Sequence, residues 1–169
     1  MKAVGVIIAI AAALALQTTI ARFVIRGVVA VDLVLVVVVY VALTFGPVTG
    51  LLTGTVAGLV QDAMSTGIIG VGGLAKTVVG FLAGVVGTQF IVAQPLPRFV
   101  VFFGATIVHA MIFMGLYTLL DVRHFGAPYA SVTGQAAANA VVGVVAFQIV
   151  ELLPGALERR RAAKGRLDR

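Results

Sequence analysis

The chain has no cysteine and no tryptophan, and charged residues make up only 11% of its 169 positions. The absence of cysteine excludes disulfide bonds and thiolate metal sites. The scarcity of charge argues against the polar surface of a soluble domain. What fills the chain is apolar: hydrophobic residues account for 61%, and the mean hydropathy is +1.16. One small soluble core cannot hide this much apolar surface, so the composition predicts an integral membrane protein.

Long apolar runs, separated by charge, glycine and proline, predict six membrane-spanning helices. The predicted spans are residues 3–21, 28–43, 48–63, 73–93, 98–120 and 131–153. A span takes about 20 residues to cross roughly 30 Å of hydrocarbon, so six spans use about 120 residues. The short loops that remain leave no room for a soluble domain. The first run is long for a secretory signal, so we expect a retained helix. The predicted fold class is an all-α bundle of six transmembrane helices, formed by residues 1–157 and followed by a basic tail, residues 158–169.

Two breaks between spans, residues 44–47 and 94–97, are very short and contain proline. Proline cannot continue the preceding helix but suits the first turn of the next one, so these breaks predict tight turns between antiparallel helices.

The Lys and Arg residues are divided unevenly between the two sides of this arrangement. Eight lie on the side of the two termini and four on the other side, among them Arg22, Arg26 and Arg123. The positive-inside rule therefore predicts cytoplasmic termini, although Arg22 and Arg26 oppose this orientation. The tail is predicted to be a solvated basic end, with binding to anionic lipid or to a partner as the alternative. Its candidate residues are Arg159, Arg160, Arg161, Lys164 and Arg166.

A stripe of glycines runs along one face of the third predicted span. Gly50, Gly54 and Gly58 are spaced by four residues, and Gly80 and Gly84 repeat the pattern in the fourth span. Bare faces of this kind let another helix backbone approach closely, which favours packing between helices in lipid. Packing within the chain is the simpler interpretation, and a partner-binding face is the alternative.

Three ionisable residues are predicted to meet near the outer boundary of the bundle. Asp32 is placed about one turn inside the second span, Asp62 near the end of the third, and Lys76 near the start of the fourth. An unpaired charge in hydrocarbon costs at least ~2.5 kcal/mol, so pairing is expected, with Asp62 and Lys76 as the first choice. Snorkelling of Lys76 to the interface is the alternative.

Polar side chains also occur within the last two spans. His109 lies near the middle of the fifth span, while Gln135 and Asn139 share a face of the sixth. A hydrogen bond between His109 and Asn139 is predicted to hold these helices together. A proton relay is the alternative, for which a single histidine is poorly suited.

The sequence carries no pattern of catalytic or nucleotide-binding residues. Neither Ser65 nor Ser131 lies in a Gly-x-Ser-x-Gly context, and no histidine and carboxylate have the spacing of a metal hydrolase. The basic tail lacks the aromatic residues and folded context of a nucleic-acid-binding module. We therefore expect no enzyme activity, no metal, no cofactor and no nucleic-acid partner.

One stretch, residues 58–84, resembles the central signature of the rod-shape-determining MreD family. In that family a glycine-flanked third span ends in an aspartate, and a short loop leads into a glycine-rich helix. The matching positions here are Gly58, Asp62, Gly70, Leu74, Gly80 and Gly84. The segment 32–43 is similar to the family's second span, except that Val31 stands where proline is usual.

The resemblance implies a non-enzymatic scaffold in the bacterial inner membrane that supports cell shape and peptidoglycan synthesis. The implied partners are the bitopic protein MreC, the RodA glycosyltransferase with its penicillin-binding transpeptidase and, indirectly, the MreB filament. It would also make the face of Gly50, Gly54 and Gly58 a stronger candidate for partner binding. The resemblance further implies an architecture like that of the substrate-binding component of energy-coupling-factor transporters.

Such a vitamin-transporter subunit is the rival hypothesis. A ligand site should contain converging polar and aromatic groups, and the chain has only three tyrosines and no tryptophan. A cavity near Asp62 and Lys76 would favour this rival.

Overall fold

The computed structural model describes residues 2–23, 31–65, 67–90, 94–122 and 129–167, with side chains from 4–19, 31–65, 67–90, 94–122 and 129–152. These residues form six helices and no strand, which confirms the all-α class. The helices are α1 (Lys2–Phe23), α2 (Leu33–Phe45), α3 (Pro47–Ala63), α4 (Val71–Gln89), α5 (Pro95–Leu119) and α6 (Tyr129–Leu167).

Helix α2 is the centre of the bundle and contacts every other helix. Val34, Val38 and Val39 along it are almost completely buried, which explains why its sequence is apolar on all sides. The helix has only 13 residues, about 20 Å, but its neighbours shield it from lipid.

The predicted start of the second span at residue 28 was wrong for the helix itself. Helix α2 begins at Leu33, and Asp32 is its N-cap rather than a residue one turn inside. The reason is local: the Asp32 side chain accepts a hydrogen bond from the Leu35 backbone N–H, which ends the helix in the N-terminal direction. Residues 28–30 of the predicted span lie outside the described residues.

The proline-containing break at residues 44–47 forms the tight connection that the sequence predicts. Gly46 alone separates α2 from α3, and its φ of +90° is a backbone conformation that favours glycine. Pro47 opens α3 and Pro95 opens α5, each in the first turn, where no intrahelical N–H bond is lost. At the second break, Pro95, Leu96 and Pro97 lie in the first turn of α5, and residues 91–93 of the connection from α4 lie outside the described residues.

Helices α3 and α4 form an antiparallel hairpin with the most extensive contact in the bundle. A Cβ atom added to Gly50 would meet the backbone oxygen of Gly80, and one added to Gly54 would meet that of Lys76. One added to Gly58 would lie 2.6 Å from the Cα of Gly73.

The structure thus corrects the assignment of Gly50, Gly54 and Gly58 to a partner-binding face. The backbone of α4 already occupies this face, so the simpler interpretation of packing within the chain describes it. The hydroxyls of Thr55 and Thr77, 2.8 Å apart, add a hydrogen bond across the same interface.

Three helices of the described residues are long and apolar enough to cross a membrane by length and composition: α4, α5 and the segment Tyr129–Leu152 of α6. Val4–Thr19 and Leu33–Phe45 are shorter apolar segments. Helix α4 begins at Val71 and ends at Gln89, earlier at both ends than the predicted 73–93, of which residues 91–93 lie outside the described residues.

The last helix does not end where the predicted transmembrane domain does. Helix α6 continues to Leu167 over 39 residues, about 58 Å, so the predicted tail from residue 158 continues the same helix almost to its end. This length exceeds a hydrocarbon core of roughly 30 Å, so the C-terminal part of α6 extends past the apolar segment.

Candidate functional site

Polar side chains converge around a cavity of about 360 Å³ at one end of the bundle. The end is formed by the C-terminal parts of α1, α3 and α5 and the N-terminal parts of α2, α4 and α6. Its ionisable lining residues are Asp32, Asp62, Lys76 and His109. The cavity therefore gathers side chains that lie far apart in the sequence.

The buried centre of this end is an ion pair between Lys76 and Asp32. The Lys76 Nζ atom lies 2.8 Å from Asp32 Oδ2, and the two side chains are only 4% and 10% exposed. Lys76 Nζ also lies 3.2 Å from His109 Nε2. Because an ammonium group only donates, Nε2 accepts this bond and the ring proton resides on Nδ1. Lys76 thus links α4 to both α2 and α5.

Asp32 and Asn139 connect the ion pair to the last helix. The backbone N–H of Asp32 donates to Asn139 Oδ1 at 2.9 Å, and Asn139 Nδ2 donates to Thr106 Oγ1 at 3.2 Å. Thr106 in turn donates to the Phe102 carbonyl oxygen at 2.9 Å. We call Asp32, Lys76, His109, Asn139 and Thr106 the polar network.

The predicted hydrogen bond between His109 and Asn139 was therefore wrong. His109 accepts from Lys76, whereas Asn139 uses its amide to bind Asp32 and Thr106. Both residues do hold α5 and α6 to the bundle, but through separate partners. Sequence reasoning missed Thr106, whose signal was a hydroxyl one turn from His109 on the same helix.

Asp62 does not pair with Lys76, contrary to the first choice from the sequence. Its Oδ2 atom accepts hydrogen bonds from the backbone N–H groups of Gly70 and Gly73, both at 2.9 Å. Gly70 is the N-cap of α4, where backbone N–H groups lack helical partners and favour a negative charge. Asp62 at the end of α3 thus caps α4, and Lys76 is left for Asp32.

Three glutamines also line the cavity. Gln17 Oε1 accepts the Val34 backbone N–H at 3.3 Å, which ties α1 to the start of α2. Gln135 of α6 lines the cavity together with Gln61 of α3. The buried Oε1 atom of Gln61 has no hydrogen-bond partner among the described residues.

A second ion pair joins α5 and α6 at the opposite end of the bundle. Arg98 donates two hydrogen bonds to Glu151, at 2.9 and 2.6 Å, and its guanidinium lies 4.1 Å from the centre of the Phe147 ring. Arg98 is buried, whereas Glu151 is half exposed. Arg98 is one of the eight basic residues that the sequence places on the side of the termini, and its pairing with Glu151 was not predicted. Opposite charges at adjoining ends of antiparallel helices were the available signal.

The remaining predicted basic residues lie partly outside the described residues. Arg26 and Arg123 are outside them, and Arg22 lies in α1 without a described side chain. The tail residues belong to the backbone of α6, again without described side chains: Arg159, Arg160, Arg161, Lys164 and Arg166.

The described residues contain no group of three or more His, Cys, Asp or Glu side chains that could hold a metal ion. The fold and its polar end define a helical membrane protein with a buried polar network and many exposed large apolar side chains.

The model of one family, rod shape-determining protein MreD, matches residues 1–154, and the chain belongs to this family. No curated protein matches the chain, and no solved structure does. The family has a role in rod-shape determination and is part of the MreBCD shape complex. Together with the three apolar helices, it indicates a protein of the inner membrane.

Proposed function

We propose that the chain is a non-enzymatic scaffold of the cell-elongation machinery, which supports cell shape and peptidoglycan synthesis by binding partner membrane proteins. The observation that carries this proposal is the family match over residues 1–154. The polar groups support it, because the ion pairs and the helix cap link α2 to α4, α5 to α6 and α3 to α4. Because many polar groups bond to one another inside the bundle, the helix faces that remain for other proteins are mainly apolar.

A surface that suits a partner helix is a groove between α4 and α5. It has a volume of about 310 Å³, and every residue that lines it is apolar or glycine. Val79, Leu82, Ala83 and Val86 form one wall at the helical spacing i, i+3, i+4 and i+7. The other wall repeats this spacing with Val101, Gly104, Ala105 and Val108.

The occupant proposed for the α4–α5 groove is the single transmembrane helix of MreC. A partner with one span fits a groove between two helices, and Gly104 leaves space for its backbone to approach closely. A Cβ added at Gly104 would meet no atom of the described residues within 4 Å, apart from its chain neighbours and the backbone of its own helix. RodA and its transpeptidase are then reached through the assembled complex.

Co-purification of the full-length chain from membranes tests this proposal. We expect wild-type protein to retain MreC and the synthase, and Gly104→Leu to lose most of the MreC because leucine fills the groove. Gly115→Leu is the matched control, since Gly115 lies on the same helix, has equally open surroundings and does not line the groove.

Retention of MreC by both variants would contradict the groove assignment but leave the scaffold function. Failure of wild-type protein to retain any elongation protein would contradict the scaffold function itself.

The transporter hypothesis has one observation in its favour, the polar cavity beside Asp62 and Lys76. Depletion of the protein in a rod-shaped host separates the two functions. Rounded cells with normal vitamin uptake support the scaffold, whereas normal rods with impaired uptake support the transporter.

A further inference from the structure

The cavity at the polar end differs chemically from the grooves on the bundle surface. The α4–α5 groove has only apolar residues and glycine in its walls, whereas this cavity is lined by charged and amide side chains. Its volume of about 360 Å³ falls within the range of roughly 300–1,000 Å³ found for small-molecule sites. The cavity can therefore hold a molecule of several non-hydrogen atoms.

The charge of the described lining is unbalanced. Asp32 and Asp62 contribute two carboxylates, and Lys76 contributes one ammonium group. That ammonium group is already bound by Asp32 Oδ2 and His109 Nε2. Asp62 has no ion-pair partner among the described residues, since its hydrogen bonds come from two backbone N–H groups.

Two hydrogen-bond acceptors from adjacent positions remain without donors. Both bonds to the Asp62 side chain reach Oδ2, so Oδ1 has no partner among the described residues. The buried Oε1 atom of the neighbouring Gln61 also has none. The Gln61 atom is buried, and a buried acceptor is costly unless a donor reaches it, so this wall of the cavity suits a group that carries several N–H or O–H donors.

An aromatic and a thioether side chain complete the lining. Phe113 and Met114 of α5 line the cavity, and the Phe113 ring stacks on His109 with a centroid distance of 5.9 Å. The face of an aromatic ring attracts cations, and the apolar pair can contact a short hydrocarbon body.

We propose that this cavity binds a small molecule with a primary ammonium group. The ammonium donates to Asp62 Oδ1 and to Gln61, and the rest of the ligand lies against Phe113 and Met114. An alkali cation would fill only a small part of about 360 Å³ and would leave the apolar wall without a contact. The ammonium group has two possible sources, a free amine or the headgroup of phosphatidylethanolamine.

Thermal unfolding of the full-length protein in detergent tests the proposal with ethanolamine as the probe. We expect saturating ethanolamine to raise Tm by at least about 2 °C. Ethylene glycol, which replaces the ammonium by a hydroxyl, and equimolar sodium chloride should leave Tm unchanged. A second arm compares nanodiscs of phosphatidylethanolamine with nanodiscs of phosphatidylglycerol, and a higher Tm in the former assigns the ammonium to lipid.

Two variants connect the effect to this wall of the cavity. Gln61→Leu removes an unpaired acceptor, so it should keep the Tm of the free protein while weakening ethanolamine binding about tenfold or more. Asp62→Asn removes the charge and should weaken binding at least as much. Thr49→Val is the matched control on α3, because Thr49 does not line this cavity, and it should bind like wild type.

The proposal is overturned if neither ethanolamine nor phosphatidylethanolamine raises Tm, if sodium chloride produces the same shift, or if Gln61→Leu and Asp62→Asn respond like Thr49→Val. These outcomes are separate from co-purification with MreC, so they leave the proposed scaffold function unaffected.

Discussion

Lys76 holds the buried charges of the polar network in place. Its ammonium group is the counter-charge of Asp32 and the donor to His109, and its side chain is almost completely buried. The desolvation cost of such a pair offsets much of its attraction, so the pair itself adds little stability. Removing only one of the two side chains is much more destabilising, because the charge of the other then remains buried without a counter-charge.

Lys76→Met is therefore expected to lower the free energy of unfolding by about 3–5 kcal/mol. Adding Asp32→Asn to Lys76→Met should restore part of this loss, because Asn neutralises the stranded charge and can still accept from the Leu35 N–H. Denaturant titration in detergent measures both effects. Thr88→Val on the same helix is the control, with little change expected because Thr88 is exposed and its hydroxyl bonds only a carbonyl of its own helix. A double variant less stable than Lys76→Met would contradict this account.

The hairpin of α3 and α4 gives a structural role to most of the family signature. Gly58 and Gly80 allow close backbone contact, and Asp62 caps α4 through Gly70 and Gly73. A Cβ added at Gly84 would meet the Cα of Pro47, so this position also needs a small residue. The signature therefore specifies the geometry of a helical hairpin.

Gly54→Leu should destabilise the bundle by about 1–3 kcal/mol or more, because the backbone of Lys76 cannot move away without shifting α4. Gly115→Leu places the same side chain in open space and should cost little. Thermal unfolding of the two variants side by side provides the measurement. Equal stability of the two would argue against the close contact between α3 and α4.

At the scale of the whole molecule, the sequence predicted the helices better than their contacts. Apolar runs and prolines located all six helices, because length and composition largely decide what can reside in lipid. Length and composition did not reveal which groups Asp62, Lys76 and His109 bind. Whether Lys76 turns to Asp62 or to Asp32 depends on the rotation of α4, and the glycine contacts with α3 determine that rotation. The cytoplasmic position of both termini stays a prediction.

The predicted orientation of the chain in the membrane can be tested by cysteine labelling. The chain has no cysteine, so a single introduced thiol is the only one that a maleimide can label. Leu96 and Val122 are 73% and 54% exposed and lie near the start and just beyond the end of α5. With cytoplasmic termini, a membrane-impermeant maleimide should label Val122→Cys in intact spheroplasts and Leu96→Cys only after permeabilisation. The reverse pattern would place both termini outside the cytoplasm.

At the polar end, the separation in sequence between hydrogen-bonded residues implies the order in which these bonds form during synthesis. Asp62 accepts its hydrogen bonds from Gly70 and Gly73, only eight and eleven residues later in the chain, so α3 and the start of α4 can form these bonds as soon as they leave the translocon. The backbone N–H of Asp32 can form its hydrogen bond only after α6 is synthesised, because it donates to the side chain of Asn139, 107 residues later in the chain. Synthesis of the last helix therefore completes the bonds of the second, and a chain truncated before Asn139 would expose an unfinished polar surface to membrane quality control.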